Sequence, residues 1–76
     1  ELTRTEFDLL EVLSARPAAA FTRRQLVDAV WGPEWVGDEH LVDVHIGHLR
    51  RKLAEVAEPV FVETVRGVGY RMGPGR

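Results

Sequence analysis

The sequence predicts an α+β fold, mostly helical, in which three helices are followed by a C-terminal β-hairpin. Three observations lead there. Leu2-Thr3-Arg4-Thr5-Glu6-Phe7 and Phe21-Thr22-Arg23-Arg24-Gln25-Leu26 carry the same helix-start device. Val42, Ile46, Leu49 and Leu53 recur at steps of four, three and four, one stripe of a helix. Beyond them, Val60 to Val65 and Tyr70 to Met72 are short β-forming runs separated by Gly67-Val68-Gly69, which reads as a hairpin tip.

In the first helix, Thr3 is the N-cap and Glu6, three residues on, closes a capping box. Leu2 and Phe7 occupy the positions of a hydrophobic staple. Arg16-Pro17 ends the helix. Ala18-Ala19-Ala20 reads as a plain connector. Thr22 and Gln25 repeat the capping box for the second helix, with Phe21 stapled to Leu26, and Gly32-Pro33 stops it. Asp38 caps the third helix, with Val36-Gly37 before it and Val42 as staple partner. The helices are expected at roughly 4–15, 23–31 and 39–55. Pro59 lies past the third helix, and Gly73-Pro74-Gly75-Arg76 reads as a disordered tail, leaving residues 1–72 as one domain. Helix, helix, helix, hairpin is the plan of a winged helix-turn-helix, with residues 32–37 making a long turn.

Charge adds a direction. The net formal charge is −2, but it is unevenly spread. Residues 1–39 hold eight acidic and four basic side chains, whereas residues 40–76 hold four acidic and six basic ones and all three histidines. Such asymmetry between halves points to an anionic partner.

The third helix then reads as a surface. Opposite its apolar stripe lie His40, Val44, Gly47, His48 and Arg51, with Asp43 and Arg50 on one flank and His45 and Lys52 on the other. Gly47 inside a helix costs about 1 kcal/mol against Ala, which fits a face that another surface approaches closely. Val44 is placed to touch a thymine methyl, and His48 and Arg51 to reach base edges. Arg50, Lys52 and His45 are placed for flanking phosphates. Arg66 stands on one side of the hairpin tip and Tyr70-Arg71 on the other.

Other chemistries find little support. The absence of cysteine excludes disulfides and thiolate metal sites. His45 and His48 stand three apart, but no second ligand cluster accompanies them, so no metal or other cofactor is expected. Ser14 is the only serine and sits at a helix end, and Gly67-Val68-Gly69 lacks the strand-loop-helix setting of a dinucleotide loop. No enzyme is expected. No apolar run has the length of a membrane span, and no signal peptide is visible. The chain enters a helix pattern almost at once without an initiator Met, which suggests a piece of a longer protein.

Leu2-Thr3, Glu6-Phe7, Leu9-Leu10, Arg24, Leu26, Val30-Trp31-Gly32, Val42-Asp43-Val44-His45-Ile46, Leu49-Arg50-Arg51-Lys52-Leu53 and Thr64-Val65-Arg66-Gly67-Val68-Gly69-Tyr70-Arg71 together resemble the effector domain of OmpR/PhoB-type response regulators. The resemblance runs to about Met72. It implies a cytoplasmic bacterial two-component regulator with a receiver domain upstream, binding direct repeats of double-stranded DNA as a head-to-tail dimer. Carried over by position, Val44, Gly47 and His48 face bases in the major groove and Arg66 enters the minor groove. Trp31, His40, His45, Arg50, Thr64 and Tyr70 meet the phosphate backbone. The loop from Gly32 to Gly37, with Glu34, Trp35 and Val36, corresponds to a segment that touches RNA polymerase. Trp35 is there either an exposed anchor or folded back on the domain. The family's N-terminal antiparallel sheet would precede residue 1, and its absence would leave Phe7 or its neighbours underpacked. His40 stands where arginine is common, Leu41 where threonine is frequent, and Gly47-His48 where arginine or serine often appears. Base preference is therefore this chain's own. The alternative is a winged-helix interaction module that does not bind DNA.

Overall fold

The computed structural model describes residues 1–56 and 61–73. Their order is α1 (Arg4–Ala15), β1 (Ala20–Thr22), α2 (Arg23–Val30), α3 (Leu41–Val56), β2 (Phe61–Val65) and β3 (Gly69–Gly73). Pro59, Val60 and the tail from Pro74 lie outside the described residues.

Both capping boxes form. Thr3 Oγ1 accepts from the Glu6 N–H at 3.1 Å while Glu6 Oε1 accepts from the Thr3 N–H at 3.0 Å. Thr22 and Gln25 make the same exchange at 3.0 and 2.9 Å. Each box satisfies two of the backbone groups that a helix terminus leaves open. α2 ends one residue earlier than expected, with Trp31 as its C-cap.

α3 starts two residues later than expected. Asp38 does act at its entrance, its carboxylate accepting from the His40 N–H at 2.9 Å. Three successive i→i+3 bonds then wind residues 38–43 tightly before the α pattern takes over. The expected staple at this end does not form, because Val36 is 91% exposed.

The largest correction is β1. The segment read as a connector pairs antiparallel with β3, Ala20 opposite Arg71, Phe21 opposite Tyr70 and Thr22 opposite Gly69. β2 flanks β3 on its other side, so the sheet order is β1-β3-β2. Alanine is a poor strand former, and the strand exists because β3 offers it an edge.

The hairpin tip is also displaced by one residue. Val68 N–H closes onto the Val65 carbonyl at 2.9 Å, and Gly67 has φ +78°, so Arg66-Gly67-Val68 makes the turn. Gly69 belongs to the strand. A Cβ there would stand 2.1 Å from the Phe21 carbonyl oxygen, so glycine is what lets β1 and β3 meet. β3 runs on to Gly73, which pairs with Phe61 rather than starting a tail.

The core joins Leu9 and Leu13 of α1, Leu26 and Val27 of α2, and Val42, Ile46, Leu49 and Leu53 of α3. Val62, Tyr70 and Met72 close it from the sheet. The expected stripe of α3 is entirely buried. On α1, Leu9 and Leu13 are fully buried while Phe7 is 52% exposed. Among the described residues, no helix is long and apolar enough to cross a membrane.

Candidate nucleic-acid interface

Because Val42, Ile46, Leu49 and Leu53 point inward, the opposite side of α3 faces solvent. His40, Val44, Gly47, His48 and Arg51 are all exposed. A Cβ added to Gly47 would meet nothing within 4 Å, so packing inside this domain does not call for glycine there. The hairpin tip, Arg66 to Val68, is exposed as well, and so is Thr64.

One flank of α3 is tied to the hairpin. Arg50 Nε donates to the Val62 carbonyl at 2.9 Å and its Nη2 to Thr64 Oγ1 at 2.5 Å. The same guanidinium sits 5.5 Å from the Tyr70 ring centroid. Tyr70 is 6% exposed, and its hydroxyl donates to Asp43 on the preceding turns of α3. Asp43 also accepts two bonds from Arg23 at the start of α2, at 2.9 and 3.1 Å. Arg23 holds the Asp43 carboxyl below the ordinary aspartate range, with the Tyr70 hydroxyl adding to this against the effect of burial. Burial, then the bond to Asp43, pushes the Tyr70 phenol up, so it remains a donor. α2, α3 and the wing are thus joined through one carboxylate, Asp43, and two guanidiniums, Arg23 and Arg50.

The other flank meets α1 and α2. His45 packs its ring 5.6 Å from Trp31, and Trp31 stacks on Trp35 at 5.6 Å. Trp35 is half-buried, its indole lying over Gly37, where a Cβ would stand 2.5 Å from the ring. Of the two readings of Trp35, folding back is therefore the one observed, and Pro33, Glu34, Val36 and Gly37 are the exposed residues of that loop. Lys52 turns inward to Glu6 at 2.8 Å and to the Glu1 carbonyl at 3.1 Å, instead of outward as its position on the helix suggested.

The three histidines separate. His40 Nδ1 lies 2.9 Å from Asp38, His45 rests on Trp31, and His48 Nδ1 is 3.9 Å from Glu6. Four arginines are neutralised locally: Arg4 by Asp8, Arg23 by Asp43, Arg24 by Asp28 and Glu39, and Arg71 by Glu63. Among the described residues, no ion pair involves Arg16, Arg50, Arg51 or Arg66. Three of those four sit on α3 and the hairpin tip.

The structure thus brings Val44, Gly47, His48 and Arg51 onto one face. Arg50, Thr64 and Tyr70 form the joint to the wing, and Trp31 and His45 form a separate aromatic edge. Sequence reasoning missed Asp43 and Arg23. A carboxylate on a helix expected to meet polyanion was itself a signal, because it demands an internal partner.

A family described as transcriptional regulatory protein, C terminal, matches residues 1–72. The heme response regulator HssR of Staphylococcus aureus is 46% identical over 71 residues, which span 93% of this chain and 32% of that protein. The chain therefore spans about a third of the length of that curated relative. The DNA-binding domain of Bacillus subtilis CssR superposes with a TM-score of 0.84 at 37% identity, covering 96% of this chain and 78% of that one. The Klebsiella pneumoniae RstA DNA-binding domain, solved in complex with the RstA box, gives a TM-score of 0.81 at 35% identity over 97% of this chain and 74% of that one. With its three helices, its hairpin wing and the family match over nearly its whole length, the chain belongs to the OmpR/PhoB-type winged-helix domains of transcriptional regulatory proteins.

Proposed function

We propose that this domain binds double-stranded DNA sequence-specifically as the effector domain of a two-component response regulator, with α3 in the major groove and the wing in the adjacent minor groove. The observation that carries the reading is the composite surface of α3 and hairpin. Its outward residues are exposed, its two halves are bonded through Arg50, and its arginines Arg51 and Arg66 are free of ion pairs among the described residues.

In this reading, phosphate contacts set the register and base contacts select the sequence. Val44, Gly47, His48 and Arg51 face base edges. Gly47 lets the helix backbone come close to the groove floor. Arg66 enters the minor groove, where a narrow A·T tract concentrates negative potential. Trp31, His40, His45, Arg50 and Thr64 meet the backbone. Tyr70 contributes chiefly from beneath, since its hydroxyl is engaged by Asp43 and its ring supports Arg50.

The wider assembly follows the family. The parent protein carries a receiver domain upstream, acts in the bacterial cytoplasm, and binds direct repeats as a head-to-tail dimer. The loop of Glu34, Trp35 and Val36 meets RNA polymerase through Val36 and Glu34, with Trp35 as its inner support. The chemistry is non-covalent binding.

Selection of bound duplexes from a random pool tests the reading. Recovery of a direct repeat, with affinity falling steeply as salt rises, is the expected result. No enrichment and a flat salt dependence would overturn it in favour of a protein-interaction module.

A further inference from the structure

Glu6 is the one buried charged side chain among the described residues, only 2% exposed. Its Oε1 accepts from the Thr3 N–H at 3.0 Å and from Lys52 Nζ at 2.8 Å. Its Oε2 receives no hydrogen bond from the described residues and lies 3.9 Å from Nδ1 of His48. Lys52 and His48 are one turn apart on α3, so both face the same carboxylate, Lys52 through a hydrogen bond and His48 just beyond hydrogen-bond length. The capping box uses Oε1 alone. Oε2 is left over, and it faces a histidine whose side chain is 47% exposed on the reading face.

An ionised carboxylate can only accept hydrogen bonds. Lys52, and after it the Thr3 N–H, hold the Glu6 carboxyl below the ordinary glutamate range, so it stays ionised. At 3.9 Å His48 Nδ1 stands just outside direct hydrogen-bond length, so the carboxylate acts on it by charge. A neutral imidazole that turns Nδ1 toward an ionised carboxylate keeps its proton there, and Nε2 is left as an acceptor. In the major groove an acceptor is matched by the exocyclic amino group of cytosine or adenine. Guanine and thymine offer acceptors at the corresponding edges.

Resting on the DNA reading above, we propose that Glu6 is a positioning residue: it fixes the His48 proton on Nδ1, so that His48 selects a base bearing an exocyclic amino group. A residue at the start of α1, facing away from DNA, thereby shapes base preference through α3.

The test uses Glu6→Gln. Glutamine still serves at this position of a capping box, so the fold is retained. Its amide can donate to His48 Nδ1 and turn the proton onto Nε2. Imidazole nitrogen shifts measured by NMR at pH 8.5, where an ordinary imidazole is neutral, should show the Nδ1–H tautomer in the wild type and the Nε2–H tautomer in Glu6→Gln. Competition among duplexes varied one base pair at a time should show His48→Ala erasing preference at one position. Glu6→Gln should shift that same position about fivefold toward guanine or thymine. Thr3→Ala, which weakens the cap without altering the carboxylate, should lower the melting temperature and leave base preference alone.

An Nε2–H tautomer in the wild type overturns the proposal. So does a Glu6→Gln variant with unchanged tautomer and unchanged preference, and in that case the DNA reading stands if His48→Ala still erases one position. A His48→Ala variant that keeps every preference removes the base contact itself, whatever the tautomer.

Discussion

Arg50 on α3 donates its Nε–H to the main-chain carbonyl of Val62 on β2, 2.9 Å away. A side chain bound to backbone fixes the strand itself, whatever residues β2 carries. The second bond of the same guanidinium, to Thr64, prevents the strand from pivoting about the first. Arg50 therefore ties α3 to the wing at two points.

Arg50→Ala should lower stability by about 1 kcal/mol, the scale of a half-exposed charge-assisted hydrogen bond. It should lower DNA affinity more than that loss implies, because the wing is then free to misalign. Arg50→Lys should not restore affinity, since an ammonium cannot span the two acceptors as a planar fork does. Urea denaturation and fluorescence anisotropy on the same variants separate the two effects. Full affinity in Arg50→Lys would show that charge alone matters there.

Asp43 and Glu6 make stability depend on acid. Both carboxyls are held below their ordinary values, Asp43 by Arg23 and Glu6 by Lys52. A carboxyl depressed in the folded state contributes stability above its unfolded pKa, about 3.9 for Asp and 4.3 for Glu. That contribution fades as pH falls through the folded value. The domain should hold its stability from neutral pH down to about 5 and lose it progressively below about 4. Asp43→Asn should be less stable than wild type at pH 7, with the gap closing in strong acid. Urea midpoints between pH 7 and pH 2 measure this, and a constant gap would contradict the linkage.

Gly69→Ala tests the strand that sequence patterns concealed. Its Cβ would press on the Phe21 carbonyl, a backbone atom that cannot swing aside. A cost of about 1–3 kcal/mol follows, typical of overpacking, with β1 released from β3. Hydrogen exchange at residues 20–22 and 69–71 should speed up together. Unchanged protection would mean that β1 is not held by this pairing.

The same strand shows which parts of the fold could be read in advance. α1 and α2 announced themselves because a capping box is a local device, complete within four residues. The buried stripe of α3 was equally plain, since helical spacing is local too. β1 has no such mark: Ala20, Phe21 and Thr22 pair with residues some fifty positions away. Phe21 and Thr22 were read only for their service to α2. The exposed side of α3 followed from the buried one by subtraction. What held that side in place did not, because Arg23, Asp43 and Tyr70 come from three elements that meet only in the folded chain. Trp35 was open between two orientations for another reason: its partner Trp31 is only four residues away, but the loop between them follows no helical or strand period that would set its direction.

Gly47 sets stability against function. Nothing in the domain lies within 4 Å of the space a Cβ would take. Gly47→Ala should therefore stabilise the free protein by up to about 1 kcal/mol, the helix propensity difference. If the helix backbone approaches a base edge there, the methyl group should weaken DNA binding by about tenfold while the melting temperature rises. A variant that gains stability and keeps full affinity would leave the glycine without a role at the interface.

Arg66 tests the wing with a number that depends on charge alone. It stands at the hairpin tip, exposed, and takes part in no ion pair among the described residues. Each cation that displaces a condensed counterion adds about 0.9 to the slope of log affinity against log salt concentration. Arg66→Ala should flatten that slope by about one unit and weaken binding across all sequences, with the largest loss on sites carrying an A·T tract beside the major-groove element. Arg16→Ala removes the same charge from the end of α1 opposite the Glu6–His48 contact, and should leave the slope unchanged. Equal slopes for both variants would mean that Arg66 attracts DNA only as part of the overall field. A loss confined to Arg66 would place the wing against the phosphate backbone beside the groove that α3 reads.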